Sequence, residues 1–467
     1  MMTVESDRNF FLIKDGYRYF IVLLALLCLT SISANVQAFN MVIVCMSPKE
    51  NTTATSHPII PYSINDQTYL NWAVGFGSAI GTFPFSVAYT RWGAKYIIGV
   101  VGMISALLCI VTPFAAEWGL WSFFTIRLLH GLAYSADFAA IGLLCTKWAP
   151  LSQNAFYVST LTSYSSLSSL LMFAISGFMC ESYFGWPLIY YTCAGAGVCL
   201  FVLWFIFFDD HPEDSRFTSA LEVEIIQEGK GDEEIHQIKS MPYRKILTNP
   251  VCWTIWYNSF AEIATSFFLY SFVAKFHRNV LGFSLHTAGL MSALPSCIYI
   301  PLRISMGYVN DKITVIPNRL KMIIFNSIAL ICPAFVYIAV GFFGRDLRVL
   351  AVTCFVTIYV FYAFSGGGFY KCATLSARQY SHFVIANIQF IKCITLFAGP
   401  ALFEAAVHDE SDLSQWRTAF LVIAGVLFSA GILFNFMATD KPQAFTGAQD
   451  IKYEPRRSQI HKLSDLK

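Results

Sequence analysis

Charge is what this chain has least of. Only 13% of its 467 residues are Asp, Glu, Lys or Arg, whereas soluble domains carry roughly 25%. The 31 basic and 29 acidic residues leave a net charge of +2, and the basic ones are too dispersed to bind nucleic acid. Metal-ligand spacing is missing too. The 13 cysteines include no CxxC, and Cys109, Cys199, Cys332 and Cys354 sit inside apolar runs, where they read as small packing residues. No GxSxG, HExxH, P-loop or dinucleotide fingerprint stands in a credible context, which argues against an enzyme and implies neither cofactor nor metal. A cleavable signal peptide is also absent. The apolar run from Tyr17 to Val44 is too long for an h-region of about 7–15 residues and reads as a first spanning helix.

What the chain has instead is hydrophobic length. Hydrophobic residues make up 56% of it and mean hydropathy is +0.55. Apolar windows of roughly 20 residues, the length a 30 Å hydrocarbon core requires, recur about twelve times. They fall at 18–45, 68–90, 95–115, 120–146, 154–180 and 187–208, then at 251–273, 286–309, 320–343, 347–369, 383–405 and 417–437. This divides the chain into a cytoplasmic N-terminus (1–17), a six-span half (18–208), a polar loop (209–249), a second half (250–440) and a tail (441–467). The loop's charge-rich piece, EVEIIQEGKGDEEIHQIK, reads as a solvated linker or as a short surface helix. With the N-terminus inside, about 22 Lys and Arg lie on the cytoplasmic side and about six outside. Lys275, Arg278, Arg345 and Arg348 are the exceptions. Asn51-Thr52-Thr53 then forms an N-glycosylation sequon in the first outer loop.

Polar residues inside spans mark the interior. In span four, Arg127, His130, Tyr134 and Asp137 fall within an arc of about 80°. A charge at the centre of a lipid-facing helix costs about 2.5–3.5 kcal/mol, so this stripe needs something other than lipid before it. Arg127 either attracts an anion or ties down backbone carbonyls, and Gly131 and Ser135 allow close helix approach. Asp137 reads as a lone carboxylate that can take up and release a proton, a task His130 can share. In span seven, Asn258, Glu262 and Thr265 share a face within about 60°. Glu262 needs a partner. Arg303, about 9 Å nearer the cytoplasm, and Lys392 in span eleven are the candidates. Most hydroxyls of STLTSYSSLSSLL in span five are expected to bond locally. Span ten offers Tyr359 and Tyr362 on one face, then the bendable run Ser365-Gly366-Gly367-Gly368.

Internal repetition adds a further signal. SVAYTRWGAK (Ser86 to Lys95) follows span two and GYVNDK (Gly307 to Lys312) follows span eight, at equivalent places in the two halves. Both read as cytoplasmic turns, with Arg91, Gly93, Lys95, Gly307 and Asp311 as gating candidates that can pair in one conformation and release in another. The pattern resembles the loop motif of the major facilitator superfamily, GxxxDRxGRK, matched at Arg91, Gly93 and Lys95 but not at Ser86, Thr90 or Ala94. KWAP (147–150), Gly185-Trp186, TSALEVEII (218–226), PYRKILTNPVCW (242–253) and GFSLHTAGLMSALP (282–295) resemble more narrowly the anion:cation symporter family of sialin-like, vesicular glutamate and sodium–phosphate carriers.

That resemblance implies an all-α multi-pass membrane protein with two six-helix bundles, related by a pseudo-twofold axis along the membrane normal. Spans one, four, seven and ten would line a cavity opening alternately to either side. It implies secondary transport of a small organic anion or similar polar solute, coupled to H⁺ or Na⁺, in the plasma membrane or a vesicular or lysosomal one. The expected partners are that solute and the lipid bilayer, with the chain acting as a monomer. Arg127 and Lys392 would attract the anion, while Asp137 and Glu262 are the candidate coupling carboxylates. The departures limit the transfer. The family's Arg late in span one falls near Val36, its Glu and His in span four on Tyr134 and Gly142, its Arg in span seven on Glu262, and an Asp in span ten on Leu375. A solute sensor that does not transport is the rival reading. The orientation is tested by a sequon engineered into the 209–249 loop. It should stay unglycosylated, and a glycan on it would invert the topology.

Overall fold

The computed structural model describes residues 16–46, 60, 62–150, 157, 160–227, 242–313, 315–377 and 381–446. Every regular element among them is helical. Span one is Tyr17–Cys45. Spans two and three form one run, Ile64–Trp118, folded at Gly93, whose φ of 74° is open to glycine and strained for side chains. Ser63 starts that run with a capping box on Asp66. Span four comes in two pieces, Leu120–Tyr134 and Asp137–Trp148, and spans five and six contain Tyr164–Glu181 and Pro187–Phe207. Spans seven to nine are Pro250–Lys275, Leu285–Lys312 and Asn318–Val340. Span ten breaks at its serine-glycine run into Arg348–Tyr362, a 3₁₀ turn Ser365–Gly367 and Phe369–Ala377. Ser381–Ala406 and Leu413–Met437 complete the set. Gly307 to Lys312, expected as a turn, instead continue the helix of span eight to its end.

Among the described residues, eight helices are long and apolar enough to cross a membrane by length and composition alone. The other four long spans are two, four, seven and eleven. These carry Asn71, Arg127 with Asp137, Glu262, and Lys392, so polarity and position inside the bundle go together. Spans two and four meet backbone to backbone. A Cβ on Gly77 would lie 2.0 Å from the Leu128 carbonyl oxygen, and one on Gly131 would lie 2.3 Å from that of Val74. Across the halves, span eight packs on span five, span eleven on span two, and span seven on span one.

Two contacts depart from the sequence reading. Residues 220–227 form a helix, Ala220–Gln227, that is docked rather than solvated. Buried Glu222 accepts from the Tyr17 and Arg18 amides, at 3.2 and 2.8 Å, and pairs with the Arg18 guanidinium at 3.4 Å. The first amides of span one have no helical acceptor and sit at the positive dipole end, which is what a carboxylate satisfies. Cys45 and Cys180, at the ends of spans one and five, form a disulfide with Cα atoms 6.0 Å apart. They are exceptions to the reading of the cysteines as packing residues. A bond there fits an oxidising environment at that face. The other eleven cysteines are not disulfide-bonded. Denatured protein should therefore take up eleven maleimides without reductant and thirteen after reduction, with the difference lost in Cys45→Ala.

Candidate functional site at the centre of the bundle

A small void of about 20 Å³, room for one water, lies between the halves. Val36, Gln37 and Asn40 of span one line it with Asn71, Arg127, Tyr134, Tyr270 and Leu396 from spans two, four, seven and eleven. Arg127 is 2% exposed, and its guanidinium is largely engaged. It donates to the carbonyls of Val36 at 2.7 Å and Leu70 at 3.3 Å and to Asn71 Oδ1 at 3.4 Å. It also stacks over Phe39 at 4.3 Å. Arg127 is thus a tether between spans one, two and four that keeps one edge at the cavity. Gln37 was not singled out from the sequence. Its amide bonds Ser168 at 2.8 Å and Ser33 at 3.2 Å, tying span one to span five. Asn40 crosses between the halves to the Tyr270 carbonyl at 3.1 Å.

Beside this void, Asp137 is not alone. Lys392 of span eleven donates to Asp137 Oδ2 at 2.8 Å, and both side chains are buried. Tyr164 of span five donates to the same carboxylate oxygen and accepts from Lys392 at 2.8 Å. The ammonium also lies 4.1 Å from the ring centre of Tyr134. One charge pair thus joins the two halves, with a phenol and an aromatic face completing the cation's surroundings. Lys392, considered from sequence as a partner for Glu262, is the partner of Asp137. Tyr164 was hidden among the hydroxyls of span five.

The remaining candidates scatter around this centre. His130 is fully buried, with Nε2 3.6 Å from Cys109 Sγ between spans three and four, and does not line the void. Asn258 bonds its own turn at Thr254 and accepts from Asn326 at 3.0 Å, joining spans seven and nine. The Tyr362 and Thr265 hydroxyls lie 2.6 Å apart. Glu262 is buried, and the Arg303 charge acts on it. Yet Arg303 Nη1 is turned to the Tyr299 hydroxyl. Of the gating candidates, Arg91 is exposed beside Gly93, and Lys95 pairs with Asp209 at 2.7 Å inside its own half. Asp210 caps the amides of Ala94 and Lys95 at 2.6 and 3.0 Å. Gly307 and Asp311 are helical, the side chain of Asp311 lies outside the described set, and Asn51 lies outside the described residues.

A helical bundle in two halves, polar at its centre and apolar on its outside, is the architecture of a multi-pass membrane protein. The chain belongs to the Major Facilitator Superfamily, which its residues 25–400 match. It is similar to human (Homo sapiens) sialin, 25% identical over 378 residues covering 80% of this chain and 76% of that one. It is also similar to sodium-dependent phosphate transport protein 1 of Mus musculus, 23% identical over 468 residues covering 94% and 96%. Among solved structures, a bacterial homolog of the human lysosomal transporter Spinster, inward-facing and occupied, superposes with a TM-score of 0.66 at 13% identity, covering 91% of this chain and 98% of that one. A D-xylose-proton symporter gives 0.65 at 14%, covering 93% and 100%. Both share the fold.

The Asp137–Lys392 pair has a measurable signature. Removing one partner strands a buried charge at about 3–5 kcal/mol, while removing both does not. Asp137→Asn and Lys392→Gln should each lower the melting temperature and yield of folded protein, and the double variant should recover most of both. Additive losses would show that the two do not pair.

Proposed function

We propose that the protein is a secondary active transporter of a small organic anion or similar polar solute, coupled to protons or sodium by alternating access. The observation that carries this is the buried ion pair joining Asp137 of one half to Lys392 of the other. A pair placed there must separate if the halves move apart around a central site. Each charge then needs a new partner, because a buried charge left unpaired is costly. An entering anion takes Lys392, and Asp137 takes a proton. Anion and carboxylate thus compete for one ammonium, which ties solute entry to proton uptake. Arg127 holds spans one, two and four together beside the void and adds positive potential without leaving its carbonyl acceptors. The names of the relatives, sialin and sodium-dependent phosphate transport protein, support the choice of an anion.

Proteoliposomes loaded with a panel of labelled anions, inorganic phosphate and urate among them, separate transport from sensing. Transport predicts counterflow of at least one anion, and bound ligand with no flux would favour the sensor. For the transported anion, the folded fraction of Asp137→Asn, which keeps Lys392 to bind the solute, should retain exchange but lose pH-driven accumulation, because exchange needs no proton release. If folded Asp137→Asn protein still concentrates solute under a pH gradient, the coupling assignment is wrong.

A further inference from the structure

Among the described residues, five buried side-chain oxygens of the second half lack a hydrogen-bond partner, and three of them fall around one break in the backbone. Glu262 Oε2 of span seven, Ser365 Oγ of span ten and Asn326 Oδ1 of span nine each lack a hydrogen-bond partner among the described residues. Their residues are 6%, 0% and 0% exposed. A buried carboxylate oxygen with no donor is costly. The three lie around one feature, the break in span ten. Ser365 opens its 3₁₀ turn, and its hydroxyl bears on the Glu262 carboxyl as a hydrogen-bonding neighbour, although no bond of ordinary geometry joins the two. Asn326 Oδ1 lies against the end of the turn, where a Cβ on Gly368 would be 2.8 Å away. The Asn326 amide is held by Asn258, one turn before Glu262 on the same helix, so the oxygen is aimed by a fixed hydrogen bond. At the break the backbone closes with shorter bonds, Gly367 to Phe364 at 3.2 Å and Gly368 to Ser365 at 3.0 Å. Discontinuous membrane helices of this kind present carbonyls to cations.

We propose that Glu262, Ser365 and Asn326, with the broken backbone of span ten, form a binding site for a monovalent cation inside the C-terminal half. All three side-chain groups are hard oxygen donors, the ligand type that hard cations take. Arg303 supplies the alternation. Its charge reaches Glu262 while its Nη1 is turned to Tyr299, so it is the group that swings to the carboxylate when the cation leaves. Cation and guanidinium are then exclusive partners of one acid. This deepens the transport reading, on which its role in coupling rests, and places that cation away from Asp137. The chemistry is shared by Na⁺ as a free ion and by an ammonium group carried on the solute.

The test is thermal unfolding of the purified full chain in detergent, in NaCl, methylammonium chloride or choline chloride at equal ionic strength. The site predicts a saturable rise in Tm with Na⁺ or methylammonium over choline. The rise should vanish in Glu262→Gln, need at least about tenfold more cation in Ser365→Ala, and persist in the Asp137→Asn/Lys392→Gln variant. Response to Na⁺ assigns the oxygens to a free ion, and response to methylammonium alone assigns them to an amine of the solute. No cation-specific rise in the wild type overturns the proposal, as does a rise that survives both Glu262→Gln and Ser365→Ala. Counterflow reports solute exchange whether or not this site fills, so failure here leaves the transport reading standing.

Discussion

No water reaches the middle of a bilayer to solvate a charge, so each charge there needs a partner supplied by the protein. Three solutions appear at the centre of this bundle. Arg127 spends its hydrogen bonds on carbonyls and an amide of spans one and two, which fixes those spans and leaves the residue little freedom. Asp137 and Lys392 satisfy each other from opposite halves, with Tyr164 filling the gap. That pair makes the junction of the halves chemically conditional, because it holds only while both groups remain charged and adjacent. Glu262 follows the third course, buried with a guanidinium in electrostatic reach and one oxygen unbonded. The contrast among the three separates structural charges from exchangeable ones.

Much of this was legible in the residues. Apolar length gave the spans, and the glycine run of span ten marked a real break. The polar stripe of span four did single out the helix on which a cavity-facing arginine and the interfacial aspartate both lie. What stayed hidden was partner choice. Asp137 and Lys392 are 255 residues apart, and nothing local indicates that spans four and eleven face each other at that height. Tyr164 resembled its hydroxylated neighbours because periodicity gives direction but not depth. Cys45 and Cys180 occupy the ends of apolar spans, where a cysteine reads as a packing residue until the ends of spans one and five are seen together. Glu222 lies in a charged run whose composition suggests solvent, and only the exposed amides at the start of span one explain its burial.

The turn after span two illustrates how a family-like motif acquires a local meaning. Lys95 and the amides beside Gly93 are answered by Asp209 and Asp210 at the end of span six, all within one half. The motif therefore braces spans two, three and six against each other. The tight backbone contact at Gly77 and Gly131 does the same for spans two and four. The N-terminal half is thus stiffened where spans two, three and six meet and along its interior.

The docked helix Ala220–Gln227 has a consequence for how the halves stay joined. Glu222 fastens it to the start of span one, so the covalent leash between the halves effectively begins at Gln227 and not at Asp209. Only residues 228 to 242 separate it from the helix beginning at Tyr243. Fifteen residues reach at most about 55 Å even when drawn straight. A leash that short holds each half at a high effective concentration about the other, so reassociation stays intramolecular and fast even with every contact between them broken.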